Sequence, residues 1–118
     1  LVWVRGALSV PVEPMIGCLG LAPARGATST LAPPFPWAGN YDLKQVRTGS
    51  TILFPAQVRG GLFSLGDLHA AMGDGEATSI SIECAGAATG ANRRDARRRP
   101  AQALTMRSSA SLTRSASS

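Results

Sequence analysis

The ionisable side chains best suited to chemistry are concentrated in one window, Gly66–Glu76. The window contains the only histidine of the chain, His69, and three of its seven acidic residues, Asp67, Asp74 and Glu76. Asp67 and His69 are two positions apart, so in an extended strand both side chains leave the same face. Asp74 and Glu76 repeat this spacing, and the glycines beside them allow a ligand or a partner strand to approach closely.

A neutral imidazole beside carboxylates is a suitable set of ligands for Zn²⁺ or a similar divalent ion. Such an ion polarises a carbonyl group and lowers the pKa of a bound water toward about 7. A glycine-rich acidic stretch is, from composition, more typical of a solvated hairpin turn. From the residue types alone, the window is therefore either a metal or catalytic site or a turn, and both interpretations stay open.

The elements that must position this window are short strands. The chain contains 13 Gly and 8 Pro in 118 residues, and these residues are the poorest in a helix interior. Apolar and β-branched runs predict strands at Met15–Leu21, Ser50–Phe54, Gly61–Leu65 and Ala77–Glu83, and four breakers predict a loop at Leu31–Asn40. The pattern favours an all-β fold of the sandwich or barrel type, with too few strands to close alone.

Charge divides the chain into two parts. Residues 1–90 carry five basic and six acidic side chains, whereas residues 91–118 carry seven Arg against one Asp, with six Ser and no Gly. We therefore expect a partial β domain over 1–90 and a disordered tail rich in Arg, Ser and Ala over 91–118. The alternative function is a non-catalytic gene fragment whose basic tail binds nucleic acid or other polyanions. Because this tail has no aromatic residue on which bases could stack, we do not expect nucleic acid as a partner.

Three further features limit the class of protein. No stretch approaches the roughly 20 apolar residues of a membrane helix, so we expect no membrane span. Cys18 and Cys84 are too few for a disulfide scaffold, which favours a reduced, cytoplasmic location. The sequence begins with Leu rather than Met, so we expect the natural start to lie upstream.

The window also belongs to a longer recognisable segment. Gly60–Glu76 resembles the signature of the acetamidase/formamidase family, which reads approximately PGALFSVGDxHAAQGDGE. Four other segments agree in order: Pro14–Pro23 resembles PFIGVIGVAP, Gly39–Asp42 resembles GGNMD, Leu43–Pro55 resembles LTxGxTLYLP, and Ser81–Glu83 resembles TAIE. The resemblance covers about residues 11–84, and its collinear motifs make it more specific than any single one.

The resemblance implies a β-rich, cytoplasmic hydrolase that is often metal-associated and forms a homo-oligomer in the full-length family. Such enzymes cut the carbon–nitrogen bond of a small linear amide, acetamide or formamide, to give the carboxylate and ammonia. The implied site positions in this chain are Asn40, Asp42, Asp67, His69, Asp74 and Glu76.

Our hypothesis for their roles follows from the chemistry of each side chain. Asp67 and His69, with Asp42, bind a divalent metal (Zn²⁺ or Ca²⁺) or orient water. Glu76 or Asp74 acts as the general base, because a base must lie within hydrogen-bond reach of the attacking water. The amide of Asn40 donates to the developing oxyanion.

The chain departs from the family pattern in places. Met72 stands where the family usually has Gln, and the resemblance ends at about Cys84, although family members run to several hundred residues. A tail rich in Arg and Ser that starts in mid-domain is what a frameshift or a gene fragment would produce. We therefore expect little or no amide hydrolysis from the 118-residue chain alone.

Overall fold

The computed structural model describes residues 1–4, 8–95 and 101–108. Within these residues the regular secondary structure is almost entirely β-strand, and its one helical element is a short 3₁₀ turn at Asp74–Glu76. The strands are β1 (Val2–Val4), β2 (Leu8–Val10), β3 (Met15–Gly20), β4 (Ala38–Asn40), β5 (Thr51–Pro55), β6 (Ser64–Ala71), β7 (Ile82–Glu83), β8 (Ala88–Asp95) and β9 (Ala101–Ser108). Of the described helical residues, no run is long and apolar enough to cross a membrane.

The strands form three antiparallel sheets. β1 and β2 make a hairpin, β4-β3-β6-β7 make a four-stranded sheet, and β5-β9-β8 make a three-stranded sheet. The predicted all-β fold class is therefore confirmed, while closure as a sandwich or barrel stays a prediction. The four-stranded sheet contains β6 and so holds the first half of the chemically interesting window.

β3 is the central strand of this sheet, and all six of its residues are buried. A continuous apolar run is expected where a strand is covered on both faces. Ile16 and Leu19 of β3 form the core with three residues from other elements, Leu21, Val46 and Phe54. Leu19 is completely buried, so the sheet that carries the site is anchored by the centre of the core.

Two predicted strands agree with the structure and two differ. Met15–Leu21 and Ser50–Phe54 correspond to β3 and β5. The strand expected at Gly61–Leu65 begins later, at Ser64, because the two residues before Leu62 and Leu62 itself have positive φ and form a turn. It then runs on to Ala71, because it pairs with β3 from Ser64 to His69 and with β7 at Ala71.

The strand expected at Ala77–Glu83 is reduced to β7, which has only two residues. Ser79 has φ 54° and closes a turn by donating its N–H to the carbonyl of Glu76 at 2.7 Å. Ile80 is 74% exposed, so its alternation with polar neighbours does not mark a buried face. The loop expected at Leu31–Asn40 is also shorter, because its last three residues form β4 against β3.

Strands lie within the segment 91–118, for which we expect disorder, and that expectation stays a prediction. Residues 91–95 extend β8, and residues 101–108 form β9, which pairs with both β5 and β8. Pairing of this kind uses backbone hydrogen bonds, which any residue except Pro can donate, so a polar composition does not prevent it. Residues 96–100 and 109–118 lie outside the described residues, and the domain boundary at residue 90 stays a prediction.

Leu19→Ala tests whether this small core stabilises the chain. We expect a loss of about 2–5 kcal/mol in the free energy of unfolding, because the truncation leaves a cavity in a fully buried position. Urea unfolding followed by circular dichroism measures the change. Leu31→Ala is the matched control, since Leu31 is 75% exposed, and a similar loss in both variants would contradict the proposed core.

Candidate metal and catalytic site

The centre of the candidate site is the backbone of Gly17 in β3. The carboxylates of Asp42 and Asp67 lie directly over this glycine. A Cβ atom built at position 17 would stand 2.5 Å from Oδ1 of Asp42 and would overlap Oδ2 of Asp67. The carbonyl of Gly17 also accepts the backbone N–H of Tyr41 at 2.9 Å, which holds the start of the Asp42 loop against the strand. The two carboxylates therefore meet only because this position has no side chain.

His69 of β6 faces the same space. Its side chain is 1% exposed, and its Nε2 lies 3.0 Å from Oδ1 of Asp67 and 3.1 Å from Oε1 of Glu83. The predicted proximity of Asp67 and His69 is thus present. Glu83 reaches the imidazole because β6 and β7 pair in the register that sets residue 69 opposite residue 83. On the other side of the ring, Nδ1 lies 3.3 Å from the sulfur of Met72.

Two overlapping groups of donor atoms result. Asp42, Asp67 and His69 form one, and His69, Glu76 and Glu83 form the other; within each group the donor atoms lie within 4.8 Å of one another. We call these five residues the acidic cluster. Among the residues that the structure describes, no Lys or Arg forms an ion pair with its four carboxylates.

Three of the carboxylate residues have an unusual backbone. Outside glycine, positive φ occurs at five described residues, and three of them are Asp42 (42°), Asp67 (59°) and Glu76 (44°). This conformation is uncommon for residues with a side chain, and Asp tolerates it better than most. Strained residues concentrate at functional sites, where the surrounding structure holds them. The backbone geometry therefore points to the same residues as the donor groups do.

The raised pKa of Asp42 shows that the folded arrangement disfavours the ionised form of this carboxyl group. Asp42 is only 9% exposed, and its Oδ1 is buried without a hydrogen-bond partner. Burial raises the pKa of Asp42 first, and the nearby charges of Glu76 and Asp67 raise it further, against the opposing effect of His69 and Asn40. An unpaired, buried carboxylate oxygen among other carboxylates is a position that a cation would satisfy.

The side chains of Cys18 and Asn40 lie beside the carboxylate of Asp67. The thiol of Cys18 lies 3.3 Å from Oδ1 of Asn40 and 3.4 Å from Oδ2 of Asp67, so it can donate to either oxygen. Burial, reinforced by the hydrogen bond to Asp67 and the surrounding carboxylates, raises the pKa of Cys18 to about 12. The sulfur therefore stays a neutral S–H at physiological pH and supports the cluster instead of acting as a nucleophile.

The structure does not bring every predicted residue to the cluster. The side chain of Asp74 is 87% exposed, and its nearest charged partner is Lys44, 3.9 Å away. By contrast, Glu83 belongs to the cluster but is not among the predicted site residues. The signal that could have found Glu83 is its strand register against His69, which sequence periodicity alone does not specify.

Comparison with known proteins identifies the family. The model of the Acetamidase/Formamidase family matches residues 22–90, more than half of the chain. The chain therefore belongs to the Acetamidase/Formamidase family, as its motifs indicated. Membership of this family gives no support to the alternative function, a fragment that binds nucleic acid.

Individual relatives agree over part of their length. The chain is 46% identical over 66 residues to a formamidase of Methylophilus methylotrophus, which is 55% of this chain and 16% of that protein. It is 48% identical over 44 residues to an acetamidase of Mycolicibacterium smegmatis, covering 37% of this chain and 11% of that one. A crystal structure of an acetamidase from Bacillus halodurans superposes with a TM-score of 0.63 and 36% identity, covering 90% of this chain and 30% of the other. The chain thus spans less than a third of each of these relatives.

Gly17→Ala tests the cradle formed by the glycine backbone. We expect Zn²⁺ binding to fall at least tenfold, because the added methyl group displaces the Asp42 and Asp67 carboxylates. Isothermal titration of the chelator-treated chain with ZnCl₂ measures the affinity. Gly66→Ala is the matched control on the neighbouring strand, since a Cβ there meets nothing within 4 Å. Equal losses in both variants would contradict a specific role for Gly17.

Asp42→Asn tests the electrostatic strain of the metal-free chain. The raised pKa means that the folded state disfavours the ionised form, so removing the charge should raise the melting temperature by about 2–6 °C at pH 7. The penalty is fully present above the pKa of folded Asp42 and disappears as the pH falls toward the unfolded value near 3.8. Melting curves in EDTA from pH 7 to pH 4 should therefore converge, and a difference that widens at acid pH would refute this account.

Proposed function

We propose that the acidic cluster is the divalent-metal site of a hydrolase for short linear amides. The observation that carries the proposal is the convergence of Asp42, Asp67 and His69 over Gly17, with Oδ1 of Asp42 buried and unpaired. Membership of the family and the names of its relatives support amide hydrolysis as the reaction class. Because the chain spans a small part of those relatives, the activity is proposed for the protein of which these residues form a part.

The donor set fits a divalent ion with a preference for Zn²⁺ over Ca²⁺. His69 offers an imidazole nitrogen, which suits Zn²⁺, whereas Ca²⁺ prefers oxygen ligands alone. Asp42, Asp67 and His69 would hold the ion, and Glu76 and Glu83 remain beside it. Bound there, a divalent ion would supply Lewis acidity toward a carbonyl oxygen and a water molecule.

The residues of this chain would then handle the protons and the developing charge. Water adds its oxygen to the carbonyl carbon, Glu76 accepts the proton that it loses, and the carbon–nitrogen bond breaks as that proton passes to the leaving nitrogen. The products are a carboxylic acid and ammonia, which exchange a proton at neutral pH to give the carboxylate and ammonium. We assign the base to Glu76 because its carboxylate lies in the cluster, while that of Asp74 is exposed.

The side-chain amide of Asn40 is suited to stabilise the oxyanion that develops on the carbonyl oxygen of the substrate. Its side-chain oxygen accepts the thiol of Cys18, and a hydrogen bond from Asn40 lowers the pKa of Asp42, so its amide group is oriented into the cluster. The amide has two N–H groups, and the second can donate toward negative charge that develops on the carbonyl oxygen. A cavity of about 440 Å³ is lined by Met72, whose sulfur contacts His69, and by Ile82 and Val10 among others, and we propose that it admits a small amide.

The remaining parts of the proposal concern the cellular setting. The resemblance to the family supports a homo-oligomer and a cytoplasmic location for the full-length protein. Cys18 and Cys84 are free thiols, which agrees with a reducing compartment.

His69→Ala tests the metal site directly. We expect the chelator-treated chain to bind Zn²⁺ in isothermal titration and the variant to lose at least a hundredfold in affinity, because the imidazole is shared by both donor groups. Glu13→Gln is the control, since it removes an exposed carboxylate outside the cluster. Absence of Zn²⁺ binding by the wild-type chain, with a native circular dichroism spectrum, would overturn the proposal.

The same preparations address catalysis. Ammonia release from formamide by the 118-residue chain should be weak or absent, because most of a family member is not contained in it. Any rate above background should disappear with His69→Ala. A rate that persists in this variant would remove the acidic cluster from the reaction.

A further inference from the structure

The side of His69 that faces away from the carboxylates is occupied by sulfur. Nδ1 of His69 lies 3.3 Å from Sδ of Met72, and the two residues are 1% and 9% exposed. A thioether sulfur carries no hydrogen, so in this contact the sulfur can only accept. The contact is therefore a hydrogen bond only when Nδ1 carries the proton.

This contact determines which nitrogen is left for the acidic cluster. A neutral imidazole has a single N–H, and when Nδ1 donates it to Met72, Nε2 keeps its lone pair. Nε2 is the atom that lies 3.0 Å from Asp67 and 3.1 Å from Glu83. A lone pair facing two carboxylate oxygens is repulsive by itself, but it becomes favourable when a cation lies between them.

We propose that Met72 is a positioning residue, whose sulfur accepts Nδ1–H and so presents Nε2 of His69 as the metal-binding atom. The inference rests on the proposed metal function of the cluster and adds the device that selects the ligating nitrogen. In metal sites this device is usually a carboxylate or a backbone carbonyl, both of which accept more strongly than a thioether. In this chain the hydrogen bond that would orient the metal-binding imidazole is therefore a weak one, from Nδ1–H of His69 to the sulfur of Met72.

Zn²⁺ affinity should follow the acceptor strength at position 72. Met72→Leu keeps the volume and removes the acceptor, so we expect about a three- to tenfold weaker affinity, less than the 10–100-fold usual for stronger outer partners. Met72→Gln supplies an amide oxygen and should bind Zn²⁺ at least as tightly as the wild type. The affinity is measured by competition with a zinc-binding dye in the full 118-residue chain.

Met15→Leu is the matched control. Met15 lies opposite His69 in the register of β3 and β6 and is 2% exposed, and in the described part of the chain its sulfur makes no hydrogen bond. We expect the Zn²⁺ affinity of this variant to equal that of the wild type. Circular dichroism spectra and melting curves of all four proteins verify that each is folded before the affinities are compared.

A spectroscopic readout separates positioning from packing. Because His69 is the only histidine of the chain, ¹⁵N-histidine labelling gives one pair of ring-nitrogen signals. In the Zn²⁺-loaded wild type we expect Nδ1 to carry the proton and Nε2 to bind the metal. In Met72→Leu, the coupling of Nδ1 to its proton should weaken through faster exchange, and in Met72→Gln it should sharpen.

The outcomes distinguish the two proposals. If the wild type binds Zn²⁺ but Met72→Leu binds it equally well, or if Nδ1 is the metal-binding atom, the positioning role is wrong while the metal site stands. If the folded wild type binds no Zn²⁺, the proposed metal function fails and the role of Met72 fails with it. Weaker binding in Met72→Leu, unchanged binding in Met15→Leu and recovery in Met72→Gln support the positioning role.

Discussion

The central constraint of this structure is that four carboxylates lie around one imidazole. Among the described residues, no Lys or Arg forms an ion pair with these carboxylates. Burial raises the pKa of Asp42 first, and the like charges of Glu76 and Asp67 add to the effect. A protein keeps such an arrangement when a ligand offsets the repulsion. The divalent cation proposed above would do so through its charge and by satisfying the buried oxygen of Asp42 that has no hydrogen-bond partner.

The surrounding elements serve this constraint. Gly17 gives the carboxylates room, and the buried strand β3 holds that glycine in the middle of the sheet through Ile16 and Leu19. Three acidic residues of the cluster, Asp42, Asp67 and Glu76, take positive φ, which is uncommon for residues with a side chain. The apolar core therefore fixes a backbone that local preference alone would not choose, and the strain lies at the site.

The residue pattern predicts the fold class, and the pattern together with the family resemblance names four of the five residues of the acidic cluster. The spacing of Asp67 and His69 predicts that the two side chains share one face, and they meet in the structure. The place of Glu83 in the cluster is not predicted, because it depends on the register between β6 and β7. The exposure of Asp74 is not predicted, because it depends on a turn that begins at Gly73. Strand β9 is not predicted for a related reason. Its backbone pairs with the edge of another strand, and such pairing does not require an apolar sequence.

Because the carboxylates of the cluster repel one another in the folded chain, the proposed metal binding and the free energy of unfolding are linked. Among the described residues ten apolar residues are buried, five of them in one core cluster, so the favourable burial is modest. The raised pKa of Asp42 means that its ionised form opposes the folded state. A ligand that binds only the folded chain stabilises it by about 2.7 kcal/mol at 100 times its dissociation constant. In a chain with so small a core, that contribution is a large fraction of the net stability of many domains. The ionised Asp42 of the acidic cluster thus opposes folding of the metal-free chain, and under the proposed function the cluster would become a source of stability when a cation binds.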